Sequence, residues 1–199
     1  MAYYNPLHAP VVTTQHSGYS ALTGAMSDRS SAPGASRKRL PQPPYTPSSK
    51  WQNATGRSSA VHSAVSFDYK GYSRQGVSMR DLSTRNLSVL SSMMAGGEDR
   101  VFAQSGLARI TFRILWPGYS VDWARTIELS ADGPITRARL AQVIAQNFSR
   151  FMEVHRNDKT TVPEFAISPT GLRFDHLVLV SLNNVFEDSW QADVVIDLR

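Results

Sequence analysis

The sequence predicts an α+β protein in which a small antiparallel or mixed sheet packs on one long helix, preceded by a long disordered tail. Three observations predict it. Apolar residues alternate with period two in Arg109–Trp116 and again in Trp190–Arg199, the pattern of half-buried strands. Between these runs Leu140, Val143, Ile144, Phe148, Phe151 and Met152 follow helical spacing. Upstream of Ser78 no periodicity persists, and Tyr, Ser, Pro, Gly and Ala dominate.

Composition divides the chain at the same place. The 199 residues carry 21 Lys+Arg and 16 Asp+Glu, a net of +5. Residues 1–107 hold 11 and 5 of these, and residues 108–199 hold 10 and 11, so the excess positive charge lies upstream. The chain has no cysteine. That excludes a disulfide scaffold, a cysteine nucleophile, a thiolate zinc site and an iron–sulfur centre. No uncharged run approaches the roughly 18–20 apolar residues of a membrane span, and the first residues lack a secretory signal pattern. The expectation is a protein of the cytoplasm or nucleus with no membrane contact and no cofactor.

Residues 1–78 read as a disordered, basic tail, because so few aliphatic side chains cannot offset about 1–2 kcal/mol of ordering entropy per residue. Within it, Lys38, Leu40, Pro41 and Pro44 form a basic-x-x-Pro-x-x-Pro motif. A polyproline II helix repeats every three residues, so both prolines would face the groove of an SH3 domain. The same Arg37-Lys38-Arg39 cluster could contact phosphates, and serines beside arginines, such as Ser30, Ser58 and Ser83, could be phosphorylated. Residues 79–107 read as a linker with a transient helix, carried by Leu82, Leu87, Leu90 and Met94 and ended by Gly96-Gly97.

Residues 108–199 read as the compact domain. Ile110, Phe112, Ile114 and Trp116 share one face of a first strand. Trp116-Pro117-Gly118-Tyr119 is a turn, and Trp123 to Leu129 returns as a second strand. Thr136 caps a helix that ends near Val154-His155, with Ile135 and Leu140 as a hydrophobic staple. Phe165-Ala166-Ile167 is a short candidate strand. Residues 174–187 are ambiguous, with a slight preference for helix, since Phe174, Leu177, Val178, Leu182, Val185 and Phe186 form a stripe. The chain closes on a strand with Trp190, Ala192, Val194, Ile196 and Leu198 on one face.

Hairpin, helix, middle segment and closing strand resemble the β-grasp (ubiquitin-like) order, which implies a last strand lying beside the first. That placement would set Asp193 and Asp197 near Arg109 and Arg113. The Tyr/Pro/Ser-rich opening, Phe112-Arg113-Ile114-Leu115-Trp116-Pro117-Gly118-Tyr119, Arg173-Phe174-Asp175-His176-Leu177 and Trp190-Gln191-Ala192-Asp193 resemble uncharacterised proteins of mushroom-forming fungi. That resemblance implies no activity.

For function, Trp116, Tyr119 and Trp123 cluster at the hairpin turn, either as an exposed partner anchor or as a cap on the core. Asp175-His176 with Glu187-Asp188 is the strongest acid/base or metal grouping, but neighbouring residues point in different directions. No phosphate loop, dinucleotide fingerprint, HExxH or nucleophile elbow occurs. The reading is a non-catalytic interaction or regulatory protein that binds a protein partner or itself. Nucleic-acid binding through the tail is the second reading. A metal-assisted hydrolase using Asp175, His176 and Glu187 is the third.

Overall fold

The computed structural model describes residues 37–47, 62–130 and 133–198. All of them belong to the compact unit Pro33–Arg199. The strands are β1 (Arg37–Arg39), β2 (Val65–Ser66), β3 (Val77–Ser78), β4 (Arg109–Ile114), β5 (Trp123–Glu128), β6 (Leu177–Phe186) and β7 (Ser189–Asp197). The helices are α1 (Met79–Thr84), α2 (Leu87–Met93) and α3 (Arg137–His155), with 3-10 turns at Pro163–Phe165 and Phe174–His176.

The strands form one mixed sheet in the order β2-β6-β7-β4-β5, so the fold is α+β. β4 and β5 are an antiparallel hairpin, as are β6 and β7, and β7 lies parallel to β4 with Phe112 opposite Trp190. The last strand therefore does lie beside the first strand of the hairpin. On its far side β6 pairs with β2 and β3 at successive positions. β7 is shared in the same way: its first residues pair with β4, and Val195, Ile196 and Asp197 pair antiparallel with β1.

One face of the sheet carries the core. Ile110, Phe112, Ile114, Leu177, Leu179, Leu182, Trp190 and Val194 are fully buried there with Leu140, Ile144, Phe148 and Phe151 of α3. The start of α3 is as expected, because the Thr136 hydroxyl accepts the Arg139 N–H. The loop before β4 completes the cap: Arg137 N–H donates to Asp99 O and Ala138 N–H to Gly97 O, at 2.8 and 2.9 Å.

The sheet does not rest on a single long helix. α1 and α2 pack against α3, and Met79, Leu82, Leu90 and Met94 are fully buried. Residues 79–107 are thus part of the core and not a linker. The tail boundary also moves. Residues 37–47 and 62–78 supply β1 to β3, with Leu40, Val65, Phe67 and Val77 in the core. The remainder of the expected tail, residues 1–36 and 48–61, lies outside the described residues.

Residues 177–186 form a strand and not a helix. Phe165-Ala166-Ile167 is not a strand: Phe165 ends a 3-10 turn, and Ile167 makes an isolated bridge to Leu172. The charge ladder has different partners from those expected: Asp197 and Asp193 pair with Arg37 and Arg39 of β1, whereas Arg113 reaches Asp122.

A half-buried phenol joins α1 to the strands. The Tyr69 hydroxyl donates to Asp81 Oδ2 at 2.6 Å and accepts the Ser78 N–H. Burial first, and the Asp81 carboxylate second, push its pKa up to about 12. A folded-state pKa above the ordinary tyrosine value stabilises the fold in full below about pH 10, and that contribution disappears as the pH climbs through the raised value. Urea unfolding should therefore show stability falling between pH 10 and 12, and the fall should shrink in Tyr69→Phe.

Candidate functional site

β5 is the outer strand on its side of the sheet, and among the described residues it pairs with β4 alone. The ladder dictates which of its backbone groups are free. Leu129 N–H donates to Ala108 O at 2.9 Å, so the pairs in register with it (Ile110/Ile127, Phe112/Arg125, Ile114/Trp123) exchange hydrogen bonds. By alternation, the amides and carbonyls of Ala124, Thr126 and Glu128 point away from β4. The Ala124 carbonyl is met by the Arg125 guanidinium at 2.9 Å. Thr126 and Glu128 have no backbone partner there among the described residues, which leaves an open template for another strand.

A groove runs beside this edge. It is a cavity of about 430 Å³ between β5 and the first turns of α3, lined by Ile127, Leu129, Ile135, Val143 and the exposed Leu87 of α2. Its charge is uneven. Among the described residues, Arg139 and Glu128 line the groove, while Arg109 and Arg125 are exposed on the β4–β5 hairpin beside it, and none of the three arginines forms an ion pair. Arg125 lies over the Trp123 ring, 4.2 Å from its centre, which holds the guanidinium along the strand.

The aromatic residues of the β4–β5 turn do not form an exposed anchor. Trp116 is buried, its indole N–H donates to Phe165 O at 2.9 Å, and its ring stacks on Phe151. Tyr119 packs edge-on against Phe151 while its hydroxyl accepts the Ile167 N–H. Trp123 is buried against Phe151 and His155. Gly118 keeps this turn tight: its φ is +83°, and a Cβ there would sit 2.2 Å from the Thr160 hydroxyl. His155, the last residue of α3, is buried inside the same cluster, with Nδ1 2.6 Å from Asp158 Oδ2.

The Lys38–Pro44 motif is not a free polyproline ligand either. Arg37 to Arg39 are a strand, and Leu40 is in the core with its N–H on Val194 O. Pro41, Pro43 and Pro44 are exposed, but Lys38 pairs with Glu164 and lies over the Phe165 ring. Arg37 and Arg39 pair with Asp197 and Asp193 at 2.8 and 2.6 Å. In this docked state the cluster's charges are already matched and face no phosphate.

The acid/base grouping is dispersed. Asp175 and His176 precede β6 and Glu187 follows it, so ten strand residues at about 3.3 Å each separate them by roughly 30 Å. Asp175 is engaged locally, and the Arg173 guanidinium holds its carboxyl below the usual carboxylate range. No group of three or more His, Asp or Glu side chains able to hold a metal occurs among the described residues. No helix among them is long and apolar enough to cross a membrane.

Sequence reasoning missed Thr126, Glu128, Arg139 and the groove. Period-two alternation locates a hairpin but does not say which of its strands acquires a third neighbour. Comparison of the chain with family models, with curated proteins and with solved structures gives no match.

Proposed function

We propose that this chain is a non-catalytic protein-interaction module that takes an extended segment of a partner protein as an added strand on β5. The outward-facing backbone of Thr126 and Glu128, beside an apolar groove, carries this reading. Main-chain bonds to such an edge supply affinity, and side-chain pockets beside it supply selectivity. Every second residue of an added strand would lie over Ile127, Leu129 and Val143, so those residues are apolar. The flanks are acidic, because among the described residues Arg109, Arg125 and Arg139 outnumber Glu128 around the edge.

The hairpin–helix–hairpin order, with β7 parallel to β4, supports a β-grasp-like description of this part of the chain. β5 is then the outer strand of the first hairpin. Nucleic acid is the weaker reading, because Arg37, Lys38 and Arg39 are matched by carboxylates.

The test uses a synthetic peptide with a central run of alternating valine and threonine and two glutamates at each end. A lysine-flanked version is the control. Thr126→Pro removes an outward N–H without removing a bond to β4, so the sheet should survive. The glutamate-flanked peptide should bind the intact chain at least tenfold more tightly than the lysine-flanked one, and Thr126→Pro should lose at least tenfold. Equal binding of both peptides, or full binding by Thr126→Pro, would remove the reading. Binding of single-stranded RNA with a steep salt dependence, in place of the peptide, would favour nucleic acid.

A further inference from the structure

A second feature is independent of β5. Residues 37–45 lie along the last residues of β7 in the manner of a bound peptide. Three kinds of contact hold them. The main chain adds to the sheet, with Arg37, Lys38 and Arg39 opposite Asp197, Ile196 and Val195, and the Leu40 N–H on Val194 O at 2.8 Å. One side chain, Leu40, enters the core. Each of the three cations meets its own carboxylate: Asp197 and Asp193 of β7, and Glu164 of the 3-10 turn.

Two glutamines then clasp the outgoing chain. Gln42 donates to Ala192 O and accepts the Leu115 N–H. Gln191 accepts the Tyr45 N–H and donates to Pro43 O. Beside the clasp is a cavity of about 450 Å³ lined by Pro41, Pro44, Asn183, Val185 and Asp193.

Remove the segment, and the end of β7 becomes an open strand edge carrying carboxylates and a slot for one aliphatic side chain. That combination selects an extended segment with arginine or lysine at alternate positions, then an apolar residue and a proline. Proline is accommodated because it follows the last ladder bond, where no N–H is needed.

Tethering accounts for why the site is filled from within. Residues 48–61, fourteen in number, join the segment to β2. Fully extended they would reach on the order of 50 Å, so the segment can leave without pulling β2 from the sheet. Covalent linkage through fourteen residues gives an effective concentration on the order of millimolar, which outcompetes an equal free peptide at micromolar concentration.

We infer that the C-terminal part of the β7 edge is a peptide-binding site for segments of the basic-x-basic-apolar-Pro class, and that residues 37–45 are its displaceable ligand in cis. A partner carrying such a segment gains the site only when the internal copy is weakened.

The probe is a fluorescein-labelled synthetic peptide of residues 36–46, read by anisotropy against the full chain. Arg37→Glu/Arg39→Glu should bind it at least tenfold more tightly than the unaltered chain, and adding Asp193→Lys should abolish that binding. A variant with unchanged circular dichroism that binds no better than the unaltered chain would overturn the inference. Should the variant fail to fold, amide exchange on the unaltered chain decides. The Leu40 amide should exchange at least 100-fold faster than the cross-strand amides of the β6–β7 hairpin. Exchange of Leu40 together with that hairpin, as one unit, would show that the segment does not detach and would overturn the inference.

Discussion

Trp116→Ala should lower the unfolding free energy by about 3–5 kcal/mol, the range for truncating a large aromatic side chain in a packed core. Trp116 is among the largest fully buried side chains, stacked on Phe151 with ring centres 5.7 Å apart and tilted toward Phe148. Its removal also leaves the buried Phe165 carbonyl without the indole N–H, which adds a desolvation cost. Packing at this end of the core links four elements of the sequence: β4, the turn after it, α3 and the 163–165 turn. Denaturant titration separates this account from the alternative in which the turn aromatics are an exposed anchor. The alternative expects stability within about 0.5 kcal/mol of the unaltered protein.

Leu40→Ala should cost about 2 kcal/mol, near the lower end for burying and then truncating a leucine. The lower end applies because β1 is a short, tethered element. The loss cannot exceed the free energy with which residues 37–45 dock, since the rest of the sheet persists when they leave. Were these residues a disordered tail, the substitution would change nothing. A chemical-denaturation midpoint, with the slope checked to be unchanged, reads the difference directly. Pro43→Ala is the internal control: Pro43 is exposed, follows the last β1–β7 ladder bond, and should leave stability unaltered.

Much of the second half of the fold is legible in the sequence, because long elements carry their own periodicity. Helix α3 declares its start through Thr136 and its buried face through Leu140, Ile144, Phe148 and Phe151. Strands β4 and β7 alternate over their whole length, and the resemblance to β-grasp order places the last strand beside the first. Strand β6 is different for a local reason. Register shifts fall between Leu179 and Ser181 and between Asn184 and Phe186. Each adds a residue to one strand, so Leu177, Leu179, Leu182 and Asn184 share a face at spacings of two, three and two. That spacing imitates a helical stripe.

β1, β2 and β3 are invisible for another reason. Two or three residues are too few to show a period, and what holds them is pairing with β6 and β7 a hundred or more positions away. Low aliphatic content suggested that residues 1–78 could not fold alone. They need not, since Leu40, Val65, Phe67 and Val77 complete a core built mainly by others. Arg137 shows the same limit. Helical phase places it on the exposed side, yet its guanidinium donates to Ser66 O and Gly96 O and pairs with Asp99.

The candidate site was the least legible part. Aromatic and basic-proline motifs attract attention as binding signals, but here they serve packing and strand pairing. The open edge at β5 is created by topology: β4 gives its other side to β7, and among the described residues the outward backbone groups of Thr126 and Glu128 are left without a strand partner. Its residues, Thr126 and Glu128, are unremarkable in sequence.

Amide hydrogen exchange of the intact protein, with and without the glutamate-flanked peptide, reads the occupancy of the β5 edge residue by residue. Strand addition on β5 predicts that the Thr126 and Glu128 amides, exposed in the free protein, slow by at least tenfold on binding while the amides already bonded to β4 change little. Binding with no protection at Thr126 and Glu128 would contradict it.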